Sequence, residues 1–172
     1  MPKQPEAIIN FEVYEDSVNY IGIAKVSLPN VNYIVQQISG AGIGGNVDAV
    51  MHGMVDAMEC GLNFRSATDS AVSLLAPRKH NIDLRVAEQA WETVNSQREI
   101  IADKFVLVMV PKTYQPGSVA PASPSDASGT YSVYYYAAYR DGKQLWEIDP
   151  YNYICTVNGV DYMAPVRRAL GK

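Results

Sequence analysis

Two short turn motifs in the last third of the chain restrict the fold more than any other feature of the sequence. Asp141-Gly142 comes directly before the extended segment Lys143–Ile148. Asn158-Gly159 lies between Tyr153–Val157 and Val160–Met163. Asp-Gly and Asn-Gly pairs supply the positive φ angles of tight hairpin turns, whereas parallel strands need a crossover of roughly a dozen residues. This part of the chain is therefore predicted to be antiparallel β-sheet.

The β prediction extends to the rest of the chain. Tyrosine, which favours strands, occurs 12 times against 3 Phe and 2 Trp. Apolar and polar residues alternate along Ile82–Val86, and Phe105–Val110 is continuously apolar, as in a strand buried on both faces. Tyr131–Arg140 and Tyr20–Leu28 are further predicted strands. The expected fold class is mainly β.

Two short helices are predicted. Thr68–Ala76 has a capping threonine at its start and is stopped by Pro77. In the second helix, Val47–Met58, apolar residues recur at three- and four-residue steps. These residues are Val47, Val50, Met51, Met54 and Met58.

Charge and length exclude several classes of protein. The 172 residues carry a formal net charge of -4, which is the wrong sign for gripping nucleic acid by its phosphates. The longest apolar run is far shorter than the roughly 20 residues that span a bilayer, so no membrane anchor is expected. Residues 1–172 are predicted to form one domain. The stretch 111–129 holds four of the 10 prolines and is predicted to be a long Pro/Ser-rich loop.

The glycine-rich segment Gly40–Gly45 permits a chemical interpretation. It matches G-x-G-x-x-G between a predicted strand and a predicted helix, as in a dinucleotide-binding fingerprint. That fingerprint requires a parallel βαβ unit, and this chain has mostly antiparallel signals. A flexible, tightly turning connection explains the glycines equally well. Nucleotide binding therefore remains the alternative from a different functional class.

Other chemical sites are less supported. Asp48, His52 and Asp56 would share one helical face with Glu59 near its end, but a solvated polar face explains the same spacing as a metal site does. Neither His52 nor His80 accompanies a recognisable nucleophile motif. We therefore expect no enzyme activity, no metal and no cofactor.

Four parts of the chain, in order, resemble the major tail tube proteins of contractile-tailed bacteriophages, a family that also occurs in phage-derived contractile bacteriocins. The matching parts are Leu28-Pro29 with Ser39–Gly42, Asp141–Asp149, Val157–Asp161 and Arg167–Gly171. The resemblance implies an antiparallel β-sandwich or split β-barrel with one or two short helices. Six such subunits would form a ring and complete a large inner β-barrel.

The same resemblance implies an architectural function. Stacked hexameric rings would form the conduit for genome delivery inside a contractile sheath, and DNA would pass through without specific binding. The implied partners are other copies of the chain, the tail sheath protein, the tape measure protein, and the baseplate and tail terminator proteins. The location would be the virion tail, after assembly in the host cytoplasm. A contractile bacteriocin or a type VI-like injection system would use the same kind of subunit.

Residues 41–58 are the predicted contact between rings. The glycines permit a projecting excursion, and apolar side chains beyond them would pack on the neighbouring ring. The predicted contact residues are Gly40, Gly42, Gly45, Val50, Met51 and Met54. A helix packed on its own subunit is the alternative.

Carboxylates facing the lumen would repel the phosphate backbone and let DNA slide. The candidates are Glu88, Glu92, Glu99 and Asp103, on segments predicted to be extended. Outward, solvated charges are the alternative interpretation.

The two cysteines, Cys60 and Cys155, are predicted to be buried reduced thiols. A sharper hypothesis is that one of them cross-links neighbouring subunits once a released particle has left the reducing cytosol.

Overall fold

The structure is a computed structural model that describes residues 2–22 and 25–172. Most of this part of the chain is β-strand, with two short helices. The elements are β1 Lys3–Glu15, β2 Asn19–Ile21, β3 Lys25–Ser27, β4 Tyr33–Ile38, β5 Val47–Val55, β6 Met58–Asn63, α1 Asp69–Ser73, β7 His80–Glu92, β8 Gln97–Gln115, β9 Ser128–Arg140, β10 Lys143–Asp149, β11 Ile154–Val157, β12 Val160–Asp161 and α2 Ala164–Ala169. The predicted strand Tyr20–Leu28 appears as β2 and β3, and its residues 23 and 24 lie outside the described residues, as does residue 1 of the predicted domain.

One 10-stranded antiparallel sheet forms the body of the molecule. Its main path runs β12-β11-β10-β9-β8-β7-β1-β2. The long strand β9 pairs with β6 through its first half and with β10 through its second, and β3 extends the β6 branch. The sheet therefore divides in two along β9 and folds over itself, while its path through the described residues stays open between β2 and β12. The predicted mainly antiparallel β fold is confirmed.

Both predicted hairpin turns are confirmed. Asp141 and Gly142 have φ angles of 47° and 82°, and Asn158 and Gly159 have 50° and 82°. Two consecutive residues with positive φ define the type I′ turn, whose twist matches that of paired strands. The turns place β10 beside β9 and β12 beside β11.

The core lies between the two halves of the folded sheet. Alternate residues of β7, Ile82 and Leu84, point into it together with Leu107 of β8. From the branch strand β6, Cys60 and Leu62 reach the same core and are fully buried. The alternation that predicted a half-buried strand at Ile82–Val86 thus describes its packing correctly.

The first predicted helix is confirmed, although it is shorter than predicted. Thr68 accepts a hydrogen bond at its Oγ1 from the Ala71 amide at 3.3 Å, as an N-cap should. The helix α1 ends at Ser73 rather than Ala76, and Ala71 and Leu74 bury its inner side. The other helix of the structure, α2, was not predicted.

The predicted helix Val47–Met58 is wrong. These residues form strand β5, a two-residue connection and the start of β6. Valines at 47, 50 and 55 favour an extended backbone, and Gly53 weakens a helix. Pairing with β4 across the glycine-rich turn then satisfies the backbone of β5. The three- and four-residue spacing of apolar residues was coincidental.

The predicted loop 111–129 is shorter than expected. Strand β8 continues through Pro111 to Gln115, and β9 begins at Ser128. The pairing of β8 with β9 shifts register between Pro111 and Thr113, which is where a sheet tolerates a proline. The irregular connection is therefore 116–127.

Candidate assembly surfaces

Strands β4 and β5 form a separate two-stranded sheet that projects from the body, and we call residues 33–55 the arm. The strands pair antiparallel, with Val35 opposite Val50 and Ile38 opposite Val47. Large apolar side chains are exposed along the whole arm: Tyr33, Ile34, Val35, Ile38, Ile43, Val47, Val50 and Met54. Its one formally charged residue is Asp48. A contiguous apolar surface of this kind indicates a protein contact.

The predicted contact residues all fall on the arm. Gly40, Gly42 and Gly45 form its tip, where the Ile43 amide donates to the Gly40 carbonyl at 3.2 Å. Val50 is 59% exposed and Met54 is 48% exposed. The sixth residue of the set, Met51, is half-buried near the root of the arm.

The geometry of the tip does not support dinucleotide binding. Gly40–Gly45 joins two antiparallel strands of a hairpin, and strand β5 follows it directly. A pyrophosphate site of the fingerprint type needs a helix N-terminus at that point. The nucleotide-binding alternative therefore has no structural basis.

The proposed metal ligands are dispersed. Asp48 and His52 lie on β5, Asp56 follows it and Glu59 lies on β6. Within residues 2–22 and 25–172, no group of three or more His, Cys, Asp or Glu side chains is arranged to hold a metal ion. His52 instead donates from Nε2 to the Tyr162 carbonyl at 2.6 Å.

The four candidate lumen carboxylates share one face of the β7–β8 hairpin. Val86 pairs with Asp103, and Ala90 pairs with Glu99. Directly opposed residues point to the same side of a sheet, and residues two apart on one strand do so as well. Glu88, Glu92, Glu99 and Asp103 therefore lie on the side that carries the core residue Leu84, beyond the end of the core.

Three of these carboxylates form ion pairs within the subunit. Arg140 donates from Nε and Nη2 to Asp103 at 2.8 and 2.9 Å, and from Nη2 to Glu88 at 2.9 Å. Lys3 bonds Glu99 at 2.7 Å. The hydrogen bond from Arg140 lowers the pKa of Asp103, whereas burial, partly opposed by Arg140, raises the pKa of Glu88. The sequence pattern did not identify Arg140, because it lies 37 residues from Asp103.

A row of cross-strand neighbours marks the other face of the same strands. Glu12 is opposite Arg85, Arg85 is opposite Lys104, and Lys104 is opposite Tyr139. These residues line an open groove of about 680 Å³ beside the small pair Ala87 and Ala102. Its charges come from three separate strands, so the groove depends on strand register.

Both cysteines are buried and free, as predicted. Burial raises the pKa of Cys60 to about 12, so the reactive thiolate is scarce at neutral pH. Cys155 lies on β11 beneath the root of the arm, beside Gly53. A cross-link between subunits would require assembly to bring one of these thiols to the surface.

No helix in the described ranges 2–22 and 25–172 has the length and hydropathy needed to cross a bilayer.

Comparison with known proteins agrees with this architecture. The chain is 26% identical over 170 residues to the tail tube protein of Escherichia phage P2, with 97% of this chain and 98% of that protein covered. Two solved structures share the fold, both from an extracellular contractile injection system, PVC, in its extended state. They are the sheath/tube terminator (TM-score 0.56, 12% identity, 76% of this chain and 94% of the other) and the sheath-tube complex (TM-score 0.53, 13% identity, 76% and 88%).

The family comparison covers nearly the whole chain. The family described as phage tail tube protein FII matches residues 5–171, from the start of β1 to the end of α2. The match includes both hairpin turns, the arm and the β7–β8 hairpin. The chain therefore belongs to the phage tail tube protein FII family and is a structural component of a contractile tail.

Proposed function

We propose that this tail tube protein closes into hexameric rings, that the rings stack into a hollow tube, and that the arm joins one ring to the next. The role is architectural rather than enzymatic. The observation that supports the stacking role most directly is the arm, which projects from the body with apolar side chains exposed on both of its faces.

The arm is a small element of two paired strands. A two-stranded hairpin is marginally stable by itself in water. Each large apolar side chain that leaves water on assembly contributes roughly 1.5–3 kcal/mol. Val35, Val50 and Met54 are each about half exposed in the single chain, so a neighbouring subunit is the natural cover for them.

Ring closure follows from the open ends of the sheet. Strand β2 covers β1 from Val13 to Glu15, and within residues 2–22 and 25–172 the remaining length of β1 pairs with β7 alone. At the other end of the path, β12 contains only Val160 and Asp161. Unpaired strand edges favour association with another chain. A ring of subunits would cover these edges, and the fold similarity to contractile tube structures supports this arrangement.

The proposed partners of this tube protein are suggested by the solved structures that share its fold. The solved structures that share the fold come from complexes described as a sheath/tube terminator and a sheath-tube complex. We propose that this tube likewise contacts a sheath and a terminator, and that a baseplate and a tape measure protein complete the tail. In a phage the tube would conduct DNA, and in a contractile bacteriocin or type VI-like system it would not.

For the lumen, we propose that Glu92 and Glu99 contribute repulsion toward DNA. The Glu99 side chain is 41% exposed although it pairs with Lys3, whereas the side chains of Glu88 and Asp103 are largely covered and paired with Arg140. Replacing Glu92 and Glu99 by lysine should slow DNA ejection, because cations in the lumen bind phosphates. Unchanged ejection kinetics from assembled particles would contradict the lumen assignment.

Assembly is tested by negative-stain microscopy and sedimentation of the purified chain, with and without a short tube or baseplate seed. We expect stacked rings or hollow rods. Val50→Asp together with Met54→Asp should prevent long tubes, because it places charges in the apolar contact. Val72→Asp is the matched control, since Val72 is 51% exposed on α1, outside the arm. Tubes of normal length from the arm variant would refute the stacking role.

A further inference from the structure

The arm bends at one place, where strand β5 departs from regular pairing. Val35 pairs with Val50, and Tyr33 pairs with Val55, so one residue of β4 stands opposite four residues of β5. Extra residues on one strand form a bulge, which bends that strand. We call the four residues Met51–Met54 the elbow. The elbow separates the outer part of the arm from its root.

The elbow lies against the C-terminal segment of the body. Gly53 has a φ of +68°, in the left-handed region that favours glycine. A Cβ at this position would come within 2.8 Å of Met163 Cγ and closer still to its sulfur. Beside it, the imidazole of His52 donates to the Tyr162 carbonyl at 2.6 Å. The backbone at Gly53 therefore lies too close to Met163 for a Cβ to fit unless Met163 moves.

The surface that receives the elbow is itself held in place, and we call residues 161–167 the seat. Met163 is 5% exposed, and its amide donates to Asp161 at 3.1 Å. Arg167 pairs with Asp161 and donates to the Tyr153 carbonyl at 2.6 Å. The bond from Arg167 lowers the pKa of Asp161. These bonds tie α2 to β12, which belongs to the main sheet, and to the turn before β11.

The contact between the elbow and the seat lies between two hollows. A hollow of about 230 Å³ lies on one side, lined by Tyr33, Met51 and Tyr162 among others. A second hollow of about 150 Å³ lies on the other, lined by Met54, Met163 and Val166 among others. The residues in contact between the two hollows are therefore well placed to fix the position of the outer arm.

From this geometry we infer that the contact between the elbow and the seat sets the angle at which the arm leaves the body. The positioning residues are Gly53 and His52 of the elbow and Met163 of the seat. This inference rests on the proposed function of the arm as the contact between rings. A projecting hairpin magnifies a small displacement at its root into a larger one at its tip. A subunit with a displaced arm would keep its core and its ring edges but would present the tip out of register to the next ring.

The first test measures the arm angle in the soluble subunit. Spin labels are placed on cysteines introduced at Ile43 on the tip and Val72 on α1, since the native cysteines are buried. Gly53→Ala should shift the distance between the labels, because the added methyl displaces Met163. Gly44→Ala is the matched control, because Gly44 lies at the tip with open space around the position of a Cβ and no positive φ. Equal label distances in Gly53→Ala and wild type would overturn the inference.

A second variant separates the clash from backbone strain. Gly53→Ala combined with Met163→Ala removes the atoms that the new methyl meets, so the mean label distance should return toward that of the wild type. If the distance stays shifted, strain at the positive φ is responsible and the seat is not. His52→Ala leaves the glycine intact, and it should broaden the distance distribution by removing the bond to Tyr162. It therefore tests the seat even if Gly53→Ala fails to fold.

Assembly provides the functional readout. Gly53→Ala should raise the subunit concentration needed for tube growth by about tenfold, while Val72→Ala, on α1 outside the arm, leaves it unchanged. Normal tube growth by a variant with a shifted arm would overturn the link between arm angle and assembly. If the wild-type chain forms no tubes even when seeded, the proposed function fails, whereas the label distances still decide whether the seat sets the arm angle.

Discussion

The β7–β8 hairpin and the arm are both antiparallel hairpins, yet they use their side chains in opposite ways. Leu84 and Leu107 of the longer hairpin are almost fully buried, and strands β1 and β9 flank it on either side. Both faces of the arm are exposed, and its two strands pair with no other strand in the described part of the chain. The comparison shows that folding covers the apolar side chains of the body and leaves those of the arm exposed, as the proposed role of the arm in assembly requires.

The largest expected difference between the two regions is in stability. Leu62→Ala in the core should lower the free energy of unfolding by about 2–5 kcal/mol, because it removes buried methyl groups and leaves a cavity. Val35→Ala in the arm should change it by no more than about 0.5 kcal/mol, because Val35 is exposed before assembly. Denaturant unfolding of the unassembled subunit measures both. Similar losses in the two variants would mean that the arm is part of the folded core.

A smaller effect is expected where the β7–β8 hairpin leaves the core. Arg140→Gln removes the cation that faces Asp103 and Glu88, and it should cost about 1–2 kcal/mol, reduced from a fully buried pair because Arg140 is partly exposed. Lys3→Gln is the control. Its pair with Glu99 is exposed on both sides and screened by solvent, so the loss should be smaller than that of Arg140→Gln. Equal losses would show that burial of the carboxylates is unimportant here.

The same cluster should give stability a pH dependence. The pKa of Asp103 is lower in the folded chain than its ordinary value of 3.8, so its contribution is present above that pH and is lost as the pH falls through the folded pKa. Glu88 acts in the opposite sense, because its pKa is raised above 4.5 and its ionisation opposes folding as the pH rises. Asp103→Asn should therefore flatten the acid limb of an unfolding series, and Glu88→Gln should steepen it. Identical acid limbs in the two variants would contradict the assignment.

The smallest expected effect concerns the turn that supports the seat. Gly159→Ala places a side chain at a φ of 82°, which costs roughly 1 kcal/mol. The turn joins β11 to β12 at one end of the sheet path, and open space surrounds the position of a Cβ at Gly159, so the loss should appear as local opening. Hydrogen exchange should increase at Val160–Met163 and leave β7 and β8 unchanged. Uniformly faster exchange would show that this hairpin unfolds together with the body.

Much of the fold was predictable because its signals are local. Asp141-Gly142 and Asn158-Gly159 carry their positive φ preference wherever they occur, and Thr68 caps its helix through neighbours three residues away. The alternation of apolar and polar residues at Ile82–Val86 can likewise be recognised within a single short segment of sequence. The order of matching segments was sufficient to identify the family.

Other features depend on contacts that no local pattern records. Residues 47–58 have apolar spacing that suits a helix, and only pairing with β4 makes β5 a strand. No local sequence pattern pairs the carboxylates of β7 and β8 with a cation. Strand pairing in the folded chain brings Arg140 and Lys3 beside them.

The sequence by itself determined the class of fold, its turns and its family, because backbone preferences act over a few residues. The tertiary structure decided which carboxylates are ion-paired, where strand β5 departs from regular pairing and why position 53 favours glycine, because strand pairing and packing join residues far apart in the chain.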